Sequence, residues 1–449
     1  MNPDTQHATR TTPIAVIILA AGKGTRMKSA MPKVLHPMAG MPMLGHVLHA
    51  AKSLNPAKTV VITGYGADDV EAYATKHFEG VTFARQTEQL GTAHAIMQAE
   101  EALKGFTGTA VILYADIMLG TRDDVLPTLM EQHSANATGL TLLTANVSNP
   151  TGLGRIFLQG GIVVNVEEKD CTPEQRRITT VNPAIHALPA PLLFSLLHQV
   201  KNDNAQKEYY LPDIIALAHK AGSTVVTAEV ACERPELGMN SRAEIAEMET
   251  VWQNRKRAAF MASGVTLNDP ATVYFSADTI IEPDTSIHQN VIFGPGVTIK
   301  TGATILPFCH LEGCTVHGGA NVGPFARIRP TTVVGENAKV GNFVELKNTT
   351  LGTKASAGHL TYLGDATVGS HTNIGAGTIT ANYNHKTHAK AKTVIGDNAS
   401  TGSNTVLIAP VTLGNGAYTG ASTTVRKNVD DNTLVFTAPD LIVKPNYSK

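Results

Sequence analysis

Cysteines, aromatic residues and long apolar runs are all scarce in this sequence. Its four cysteines form no Cys-x-x-Cys pair in 449 residues, too few for a disulfide framework in a chain of this length. The apolar run at residues 14–21 is much shorter than the roughly 20 residues that cross a bilayer, and no basic segment with a cleavage site precedes it. We therefore expect reduced thiols, no membrane insertion and a cytoplasmic location.

An excess of charge of either sign is also missing. The 36 Lys and Arg residues balance 37 Asp and Glu residues, so the formal net charge is -1. Such a chain has no global field to hold a nucleic-acid backbone, and we expect no nucleic-acid partner. Any phosphate must be held by local residues. At 449 residues the chain is about three times a typical domain of roughly 150 residues, which predicts at least two hydrophobic cores.

The first half of the chain alternates between strand-like and helix-like segments. Apolar stretches near residues 14–20, 59–63, 110–114 and 140–145 are separated by segments of helical periodicity, which indicates βαβ units and a mostly parallel sheet. Residues 241–262 are rich in helix formers and contain no Gly or Pro, so they predict one long helix. We assign residues 1–240 to a first domain, 241–262 to a linker helix and 263–449 to a second domain with a carboxy-terminal tail.

From about residue 265 to 430 the sequence repeats every six residues, and a glycine often follows the aliphatic position, as in Val322-Gly323. A hexapeptide repeat is typical of a parallel β-helix, in which three repeats close one triangular coil of roughly 18 residues. The predicted inward positions include Val316, Val322, Ile328, Val334, Val340, Leu346, Ile395, Thr401, Leu407, Leu413, Thr419 and Val425. The phase breaks at residues 380–393, where we expect a polar loop to leave the coils.

A glycine-rich segment follows the first predicted strand. It reads Leu-Ala-Ala-Gly-Lys-Gly-Thr-Arg-Met from Leu19, and Pro32-Lys33 comes shortly after. Glycines at a strand-to-helix turn let backbone N–H groups approach phosphate oxygens, while Arg26 and Lys33 supply positive charge. The spacing is neither that of the dinucleotide fingerprint nor that of the P-loop. The whole string resembles the signature of sugar-phosphate nucleotidyltransferases.

Further short motifs follow in family order along nearly the whole chain. They lie at residues 86–94, 114–116, 152–155, 167–170, 182, 204–210 and 238–240. With the hexapeptide half, they resemble the family of bifunctional N-acetylglucosamine-1-phosphate uridyltransferases and glucosamine-1-phosphate N-acetyltransferases. This resemblance implies an α/β nucleotidyltransferase domain with a Rossmann-like, mostly parallel sheet, joined by a long helix to a left-handed parallel β-helix. It also implies a homotrimer.

For the first half, the resemblance implies Mg²⁺-dependent uridylyl transfer from UTP. Asp116 and Asn240 match the metal ligands, and Arg26 and Lys33 match the catalytic residues that hold the triphosphate. The positions that match nucleotide-binding residues are Leu19, Ala20, Ala21, Gly22, Lys33, Gln86, Gly91, Thr92, Tyr114, Ala115 and Asp116. The positions that match the pocket for the acetylated sugar phosphate are Gly154, Glu167, Asn182 and Asn240.

For the second half, the resemblance implies acetyl transfer from acetyl-CoA to an amino sugar. Amide formation needs a base to take the proton of the attacking amine, and His359 matches that base because histidine ionises near neutral pH. The positions that match the second sugar-phosphate site are Arg329, Lys347, Tyr362 and Asn373. The positions that match acetyl-CoA contacts are Ala376, Asn382, Tyr383, Ser403 and Ala421.

Some residues depart from the family pattern. Ala115 replaces a glycine beside the nucleotide, Met118 replaces a proline, and Pro183-Ala184 replaces Thr-Gly after Asn182. These changes leave open an alternative in which the protein is an acetyltransferase only, with a weakened uridyltransferase pocket. A second alternative, a non-catalytic nucleotide-binding scaffold, is disfavoured because the predicted metal ligands and base are retained.

One departure falls in the second half. Ala438 stands where the family has an arginine that meets a CoA phosphate. The tail is therefore expected to contact the cofactor differently, and Arg426 or Lys427 is a candidate substitute.

Overall fold

The computed structural model describes residues 12–204, 206–438 and 443–445. Its contacts divide the chain into two compact units, Met1–Val251 and Trp252–Lys449, a division that falls within a 21-residue helix. The domain limits given above at residues 240 and 263 remain predictions, and their outer ends, residues 1–11 and 446–449, lie outside the described residues. Across the described ranges, no helix is long and apolar enough to cross a membrane.

The first unit is built from strands and helices in alternation. Its strands are β1 Ile14–Leu19, β2 Pro37–Met38, β3 Met41–Pro42, β4 Lys58–Thr63, β5 Val81–Arg85, β6 Thr109–Tyr114, β7 Leu140–Asn146, β8 Arg155–Gln159, β9 Ile162–Val166, β10 Thr180–Val181, β11 His186–Pro189 and β12 Val225–Ala231. Its helices are α1 Met43–Lys52, α2 Ala67–His77, α3 Thr92–Met97, α4 Val125–Ser134, α5 Ala190–Leu197, α6 Asp213–Lys220 and α7 Arg242–Ala262, which continues into the second unit.

One ten-stranded sheet organises this unit. Its order is β5-β4-β1-β6-β11-β7-β10-β8-β9, with β12 paired to β7. Strands β5, β4, β1 and β6 are parallel neighbours, so their carboxyl ends meet at one edge, where ligands bind in open α/β sheets. Beyond β6 the sheet becomes mixed, because β11 runs antiparallel to both of its neighbours. The α/β fold with parallel strands at its core confirms the predicted fold class.

His186 is an unsatisfied polar residue at the centre of this sheet. It lies on β11, is fully buried, and neither ring nitrogen has a hydrogen-bond partner in the described structure. Burial lowers the pKa of this imidazole to about 3. Because an unfolded histidine ionises near pH 6.5, the unfolded chain binds this proton more tightly, and stability falls as the pH drops below about 6.5.

We expect His186→Leu to remove this pH dependence. Between pH 6.5 and pH 5, the buried imidazole lowers the unfolding free energy of the wild type by about 2 kcal/mol. The leucine variant has no such group and should not show this decrease. The substitution also removes two unpaired nitrogens, which adds about 1–3 kcal/mol at pH 7. Denaturant unfolding of both proteins at pH 7 and pH 5 measures this, and equal losses on acidification would contradict the assignment.

The second unit is a stack of short parallel strands. They are β13 Thr266–Leu267, β14 Ile280–Ile281, β15 Ser286–Ile287, β16 Ile292–Phe293, β17 Thr298–Ile299, β18 Thr304–Ile305, β19 His310–Leu311, β20 Cys314–Val316, β21 Asn321–Val322, β22 Arg327–Ile328, β23 Thr332–Val334, β24 Lys339–Asn342, β25 Glu345–Leu351, β26 Ser356–His359, β27 Tyr362–Val368, β28 Asn373–Ile374, β29 Ile379–Ala381, β30 Thr393–Ile395, β31 Ser400–Thr401, β32 Val406–Ile408, β33 Val411–Leu413, β34 Tyr418–Thr419, β35 Thr424–Val425 and β36 Leu434–Val435.

The strand register confirms the coils that the six-residue repeat predicts. Ile281 pairs with Ile299, one coil of 18 residues later, and every ladder that joins one coil to the next is parallel. All twelve predicted inward positions are buried. The coil that contains residues 380–393 is longer, since Val368 pairs with Ile395, so the predicted loop does leave the stack. Cys309 and Cys314 fill the interior as free thiols.

Candidate functional sites

A cleft of about 250 Å³ opens at the carboxyl ends of the parallel strands. Ten of the eleven predicted nucleotide-binding residues line it: Leu19, Ala20, Ala21, Gly22, Lys33, Gln86, Gly91, Thr92, Tyr114 and Asp116. Its lining also includes Val34, Gln89, Ala95 and Glu208, which sequence reasoning did not assign. Only their position in the sequence could have indicated them. Val34, Gln89 and Ala95 lie within three residues of a predicted position, and Glu208 lies within the motif at residues 204–210.

Lys33 joins the two predicted metal ligands inside this cleft. Its ammonium forms a salt bridge with the Asp116 carboxylate and donates to Asn240 Oδ1 at 2.8 Å. The backbone holds the ligands together as well, because Met239 N–H donates to the Asp116 carbonyl at 3.0 Å. Two oxygen donors from distant parts of the chain therefore converge on the Lys33 ammonium. A divalent ion coordinated by oxygen requires donors that converge in this way.

The wall opposite these ligands is formed by the turn between β5 and α3. Gly91 has φ 106°, and a Cβ there would lie 2.5 Å from the Tyr209 carbonyl oxygen, so only glycine fits. Gln86 Nε2 donates to the Gly91 carbonyl at 3.1 Å. Burial raises the pKa of Tyr114, whose hydroxyl is hydrogen-bonded to Thr92, so the phenol stays neutral at physiological pH.

Two residues that depart from the family pattern, Ala115 and Met118, and the predicted catalytic residue Arg26 lie outside the cleft lining. Ala115 is fully buried and its N–H donates to the Leu19 carbonyl at 3.0 Å, so its methyl group lies in the protein interior. Met118 is also buried. Arg26 is exposed, on the short 3-10 turn Thr25–Met27. The structure brings Lys33, but not Arg26, to the metal ligands.

The predicted sugar residues meet around a residue that the sequence did not single out. Asn165 Nδ2 donates to Glu167 Oε1 at 3.2 Å, and Asn182 Nδ2 donates to Asn165 Oδ1 at 3.3 Å. Gly154 packs against the same amide, since a Cβ on Gly154 would lie 2.9 Å from Asn165 Oδ1. Asn165 and Glu167 also line a wider cleft of about 610 Å³.

Ala184 occupies a backbone conformation that favours glycine. Its φ is 58°, in the left-handed region that costs other residues about 1–2 kcal/mol. The Asn182 side chain supports this turn by accepting the Ala184 N–H at 2.8 Å. Pro183 is buried. Pro183 and Ala184 therefore form the turn with backbone strain at Ala184, which a glycine at that position would avoid.

In the second unit, three of the five predicted acetyl-CoA residues form one column with His359 along the coil stack. Ala376, Ser403 and Ala421 occupy the same corner of successive coils, directly beyond His359. The backbone bonds that stack this corner are Gly377 N to His359 O at 3.4 Å, Asn404 N to Ala376 O at 2.7 Å and Ser422 N to Ser403 O at 2.8 Å. Small side chains along the corner leave an open track for an extended thioester.

The tautomer of His359 is fixed by the coil before it. His359 pairs with Asn342 across β26 and β24, and Nδ1 lies 2.9 Å from Asn342 Oδ1. An amide oxygen only accepts, so Nδ1 carries the proton and Nε2 keeps a free lone pair. His359 is exposed. The strand register is what shows that Asn342 lies beside His359.

A cluster of positive charge flanks the next corner. Arg329 Nη1 donates to Glu345 Oε1 at 2.8 Å, and this bond raises the pKa of the guanidinium. Arg329 and Lys390 both lower the pKa of Lys347, so the three cations are close neighbours. Lys390 comes from the predicted polar loop. The sequence missed it because its position depends on how that loop folds back.

Of the remaining predicted residues, Asn382 and Tyr362 both lie beside Gly364. Asn382 Nδ2 donates to the Asp365 carboxylate, while the Tyr362 hydroxyl lies over Gly364, where a Cβ would approach it to 2.3 Å. The Tyr383 hydroxyl lies 2.7 Å from His388 Nδ1. Asn373 is exposed and pairs with Ser356 on β26. Ala438, Arg426 and Lys427 are all exposed.

Known proteins match both halves of the chain. A family model described as nucleotidyl transferase matches residues 15–231, and one described as GMPPB C-terminal domain matches residues 310–416. Bifunctional protein GlmU of Jannaschia sp. is 45% identical over 439 residues, which cover 97% of this chain and 95% of that protein. Bifunctional protein GlmU of Sphingopyxis alaskensis is 47% identical, covering 97% and 96%, and that of Trichormus variabilis is 40% identical, covering 97% and 99%.

The chain belongs to the GlmU family. This result confirms the resemblance that the sequence motifs indicated, and it confirms the fold class, a nucleotidyltransferase domain followed by a left-handed parallel β-helix. GlmU proteins are bifunctional transferases, so the two separate sites described above belong to one enzyme.

Proposed function

We propose that this GlmU protein makes UDP-N-acetylglucosamine in two steps at two sites. The β-helix transfers acetyl from acetyl-CoA to glucosamine 1-phosphate, and the α/β unit then transfers uridylyl from UTP to the product and releases pyrophosphate. The observation that carries this proposal is the convergence of Asp116 and Asn240 on Lys33, which lines the cleft together with Asp116. Both UTP and acetyl-CoA are cytoplasmic metabolites, which supports a cytoplasmic location.

For uridylyl transfer, Asp116 and Asn240 are the residues proposed to hold Mg²⁺. Their two oxygens already converge on the Lys33 ammonium, so the donor set fits the ion. When bound, Mg²⁺ neutralises phosphate charge and orients the triphosphate. The sugar-phosphate oxygen attacks the α-phosphorus in line with the departing pyrophosphate, a reaction that needs positioning and charge neutralisation rather than a covalent catalyst. Lys33, which lines the cleft, supplies positive charge to the leaving group; Arg26 lies outside the cleft lining, and its catalytic role stays a prediction from the motif.

The base and sugar are held by the surrounding walls. Gln86, Gly91 and Thr92 present amide, carbonyl and hydroxyl groups suited to the edge of uracil. Glu167 and Asn182 offer an acceptor and an amide to the acetylated sugar. Ala115 lies outside the cleft lining, which supports an intact nucleotide pocket over the acetyltransferase-only alternative.

For acetyl transfer, His359 is proposed as the general base. Its free Nε2 takes a proton from the amine of glucosamine 1-phosphate, and the amine attacks the thioester carbonyl. The C–S bond then breaks and CoA leaves as the thiol. Arg329, Lys347 and Lys390 hold the sugar phosphate, while Tyr362 and Asn373 bind its hydroxyl groups. The pantetheine arm lies along Ala376, Ser403 and Ala421, with Asn382 and Tyr383 beside it.

An exposed aromatic ladder supports the homotrimer that the family resemblance implies. Phe308, Phe325 and Phe343 stack at 4.9 and 5.2 Å between ring centroids, and each is about half exposed. Leu360, next to His359, continues the column and is 62% exposed. Exposed contiguous apolar surface of this kind marks a protein interface. A second copy on this ladder would lie beside the acetyltransferase site.

Assays of the two half-reactions test the proposal. We expect the purified chain to release pyrophosphate from UTP and N-acetylglucosamine 1-phosphate with Mg²⁺, and to release CoA thiol from acetyl-CoA and glucosamine 1-phosphate. Glucose 1-phosphate serves as the control for sugar selectivity. Thiol release without pyrophosphate release would favour the acetyltransferase-only alternative, and absence of both would favour the scaffold.

A further inference from the structure

One asparagine interrupts an otherwise aliphatic strand. Strand β9 reads Ile-Val-Val-Asn-Val, and Asn165 points to the same side as Val163, which belongs to the hydrophobic core. Its partner across the ladder is Ile156, another core residue. An aliphatic side chain at this position would avoid the cost of burying a polar amide. Hydrophobic packing therefore does not explain the asparagine.

The contacts of Asn165 point to the sugar pocket. Its amide nitrogen donates to Glu167 Oε1 at 3.2 Å, and its amide oxygen accepts from Asn182 Nδ2 at 3.3 Å. Only a side chain that carries both a donor and an acceptor makes these two bonds at once. Asn165 therefore links the two predicted sugar-binding side chains, which lie 15 residues apart in the sequence.

The same amide fixes the orientation of each neighbour. Glu167 accepts from Asn165 through one carboxylate oxygen, and the second oxygen is left to accept from a sugar hydroxyl or amide. Asn182 donates to Asn165 through its nitrogen and accepts the Ala184 N–H through its oxygen. Gly154 closes the third side, because a methyl group there would lie 2.9 Å from Asn165 Oδ1.

We propose that Asn165 is a positioning residue that presets Glu167 and Asn182 for the acetylated sugar and so determines affinity for the sugar phosphate. The proposal rests on the proposed function, since it takes Glu167 and Asn182 as sugar ligands. Asn165 need not contact the sugar. Its effect is to remove the freedom of two polar side chains before binding, which otherwise must be lost when the sugar binds.

The test uses the full-length enzyme with Asn165→Asp and Asn165→Leu. Aspartate keeps the acceptor for Asn182 but places a second carboxylate against Glu167. Leucine removes both bonds while keeping the branching and the number of side-chain heavy atoms. We expect the KM for N-acetylglucosamine 1-phosphate to rise about 10-fold or more in both variants, the effect of losing a hydrogen bond to a charged group. The KM for UTP and the rate of acetyl transfer should stay within about 2-fold.

A double-mutant cycle separates positioning from packing. Glu167→Ala alone should raise the KM for the sugar phosphate. Asn165→Leu should then raise this KM clearly less in the Glu167→Ala background than in the wild type, because the bond between the two residues is already lost. Additive effects, an unchanged sugar KM in Asn165→Asp, or equal losses for UTP and sugar would overturn the positioning role. An unchanged sugar KM in Glu167→Ala would instead overturn the sugar-site assignment within the proposed function.

Discussion

Replacing His359 with alanine is expected to abolish acetyl transfer and leave uridylyl transfer intact. The variant lacks the base that takes the amine proton, a contribution of roughly 10²- to 10⁴-fold in rate. Because His359 is exposed on a corner of the β-helix, its removal leaves no cavity in the core. CoA thiol release and pyrophosphate release from one preparation measure the two activities side by side.

Asn342→Ala is the matched control for this experiment. It removes the oxygen that fixes the tautomer of His359 but keeps the imidazole, so we expect a smaller loss of acetyl transfer than in His359→Ala. Loss of both activities in His359→Ala would contradict independent sites. Acetyl transfer at the wild-type rate would show that another group acts as the base.

Replacing Asp116 with alanine is expected to have the converse effect. It removes one of the two oxygens proposed to hold Mg²⁺ and leaves the Lys33 ammonium with Asn240 as its remaining partner in the cleft. Loss of several kcal/mol of charge stabilisation corresponds to at least about a 10³-fold fall in pyrophosphate release. Acetyl transfer by the same preparation should be unchanged.

The dependence on Mg²⁺ concentration supplies a second readout for Asp116. Asp116→Asn keeps the size of the side chain and one oxygen donor but loses the negative charge, so we expect it to need a higher Mg²⁺ concentration for half-maximal rate than the wild type. Glu101→Gln is the control, because Glu101 is an exposed carboxylate in the turn that follows α3 and does not line the cleft. An unchanged Mg²⁺ requirement in Asp116→Asn would contradict the ligand assignment.

Much of the fold could be predicted because its signal is periodic. The six-residue phase predicted inward positions between Val316 and Val425, since the same place in each repeat must face the narrow interior of the coils. The parallel strands of the first unit were visible for a similar reason, as β1, β4 and β6 are short apolar runs buried on both faces. The antiparallel pairing of β11 carried no such signal.

The parts of the sites that escaped prediction depend on register and on loop shape. Asn165 and Asn342 act through partners on neighbouring elements, and nothing in a single sequence states which residues lie opposite each other. Lys390 reaches Lys347 only because residues 380–393 fold back toward the coils. Ala115 was expected beside the nucleotide from its motif, but the side of the strand end on which its methyl group lies became evident only in three dimensions.

The linear stacking of coils in the β-helix affects which coils unfold locally. Each coil packs only on the coil before it and the coil after it, so the last coil of the stack has a neighbouring coil on one side only. Acetyl-CoA bound as proposed, along Ala376, Ser403 and Ala421, would contact several successive coils. Bound acetyl-CoA would therefore stabilise the carboxy-terminal coils against local unfolding.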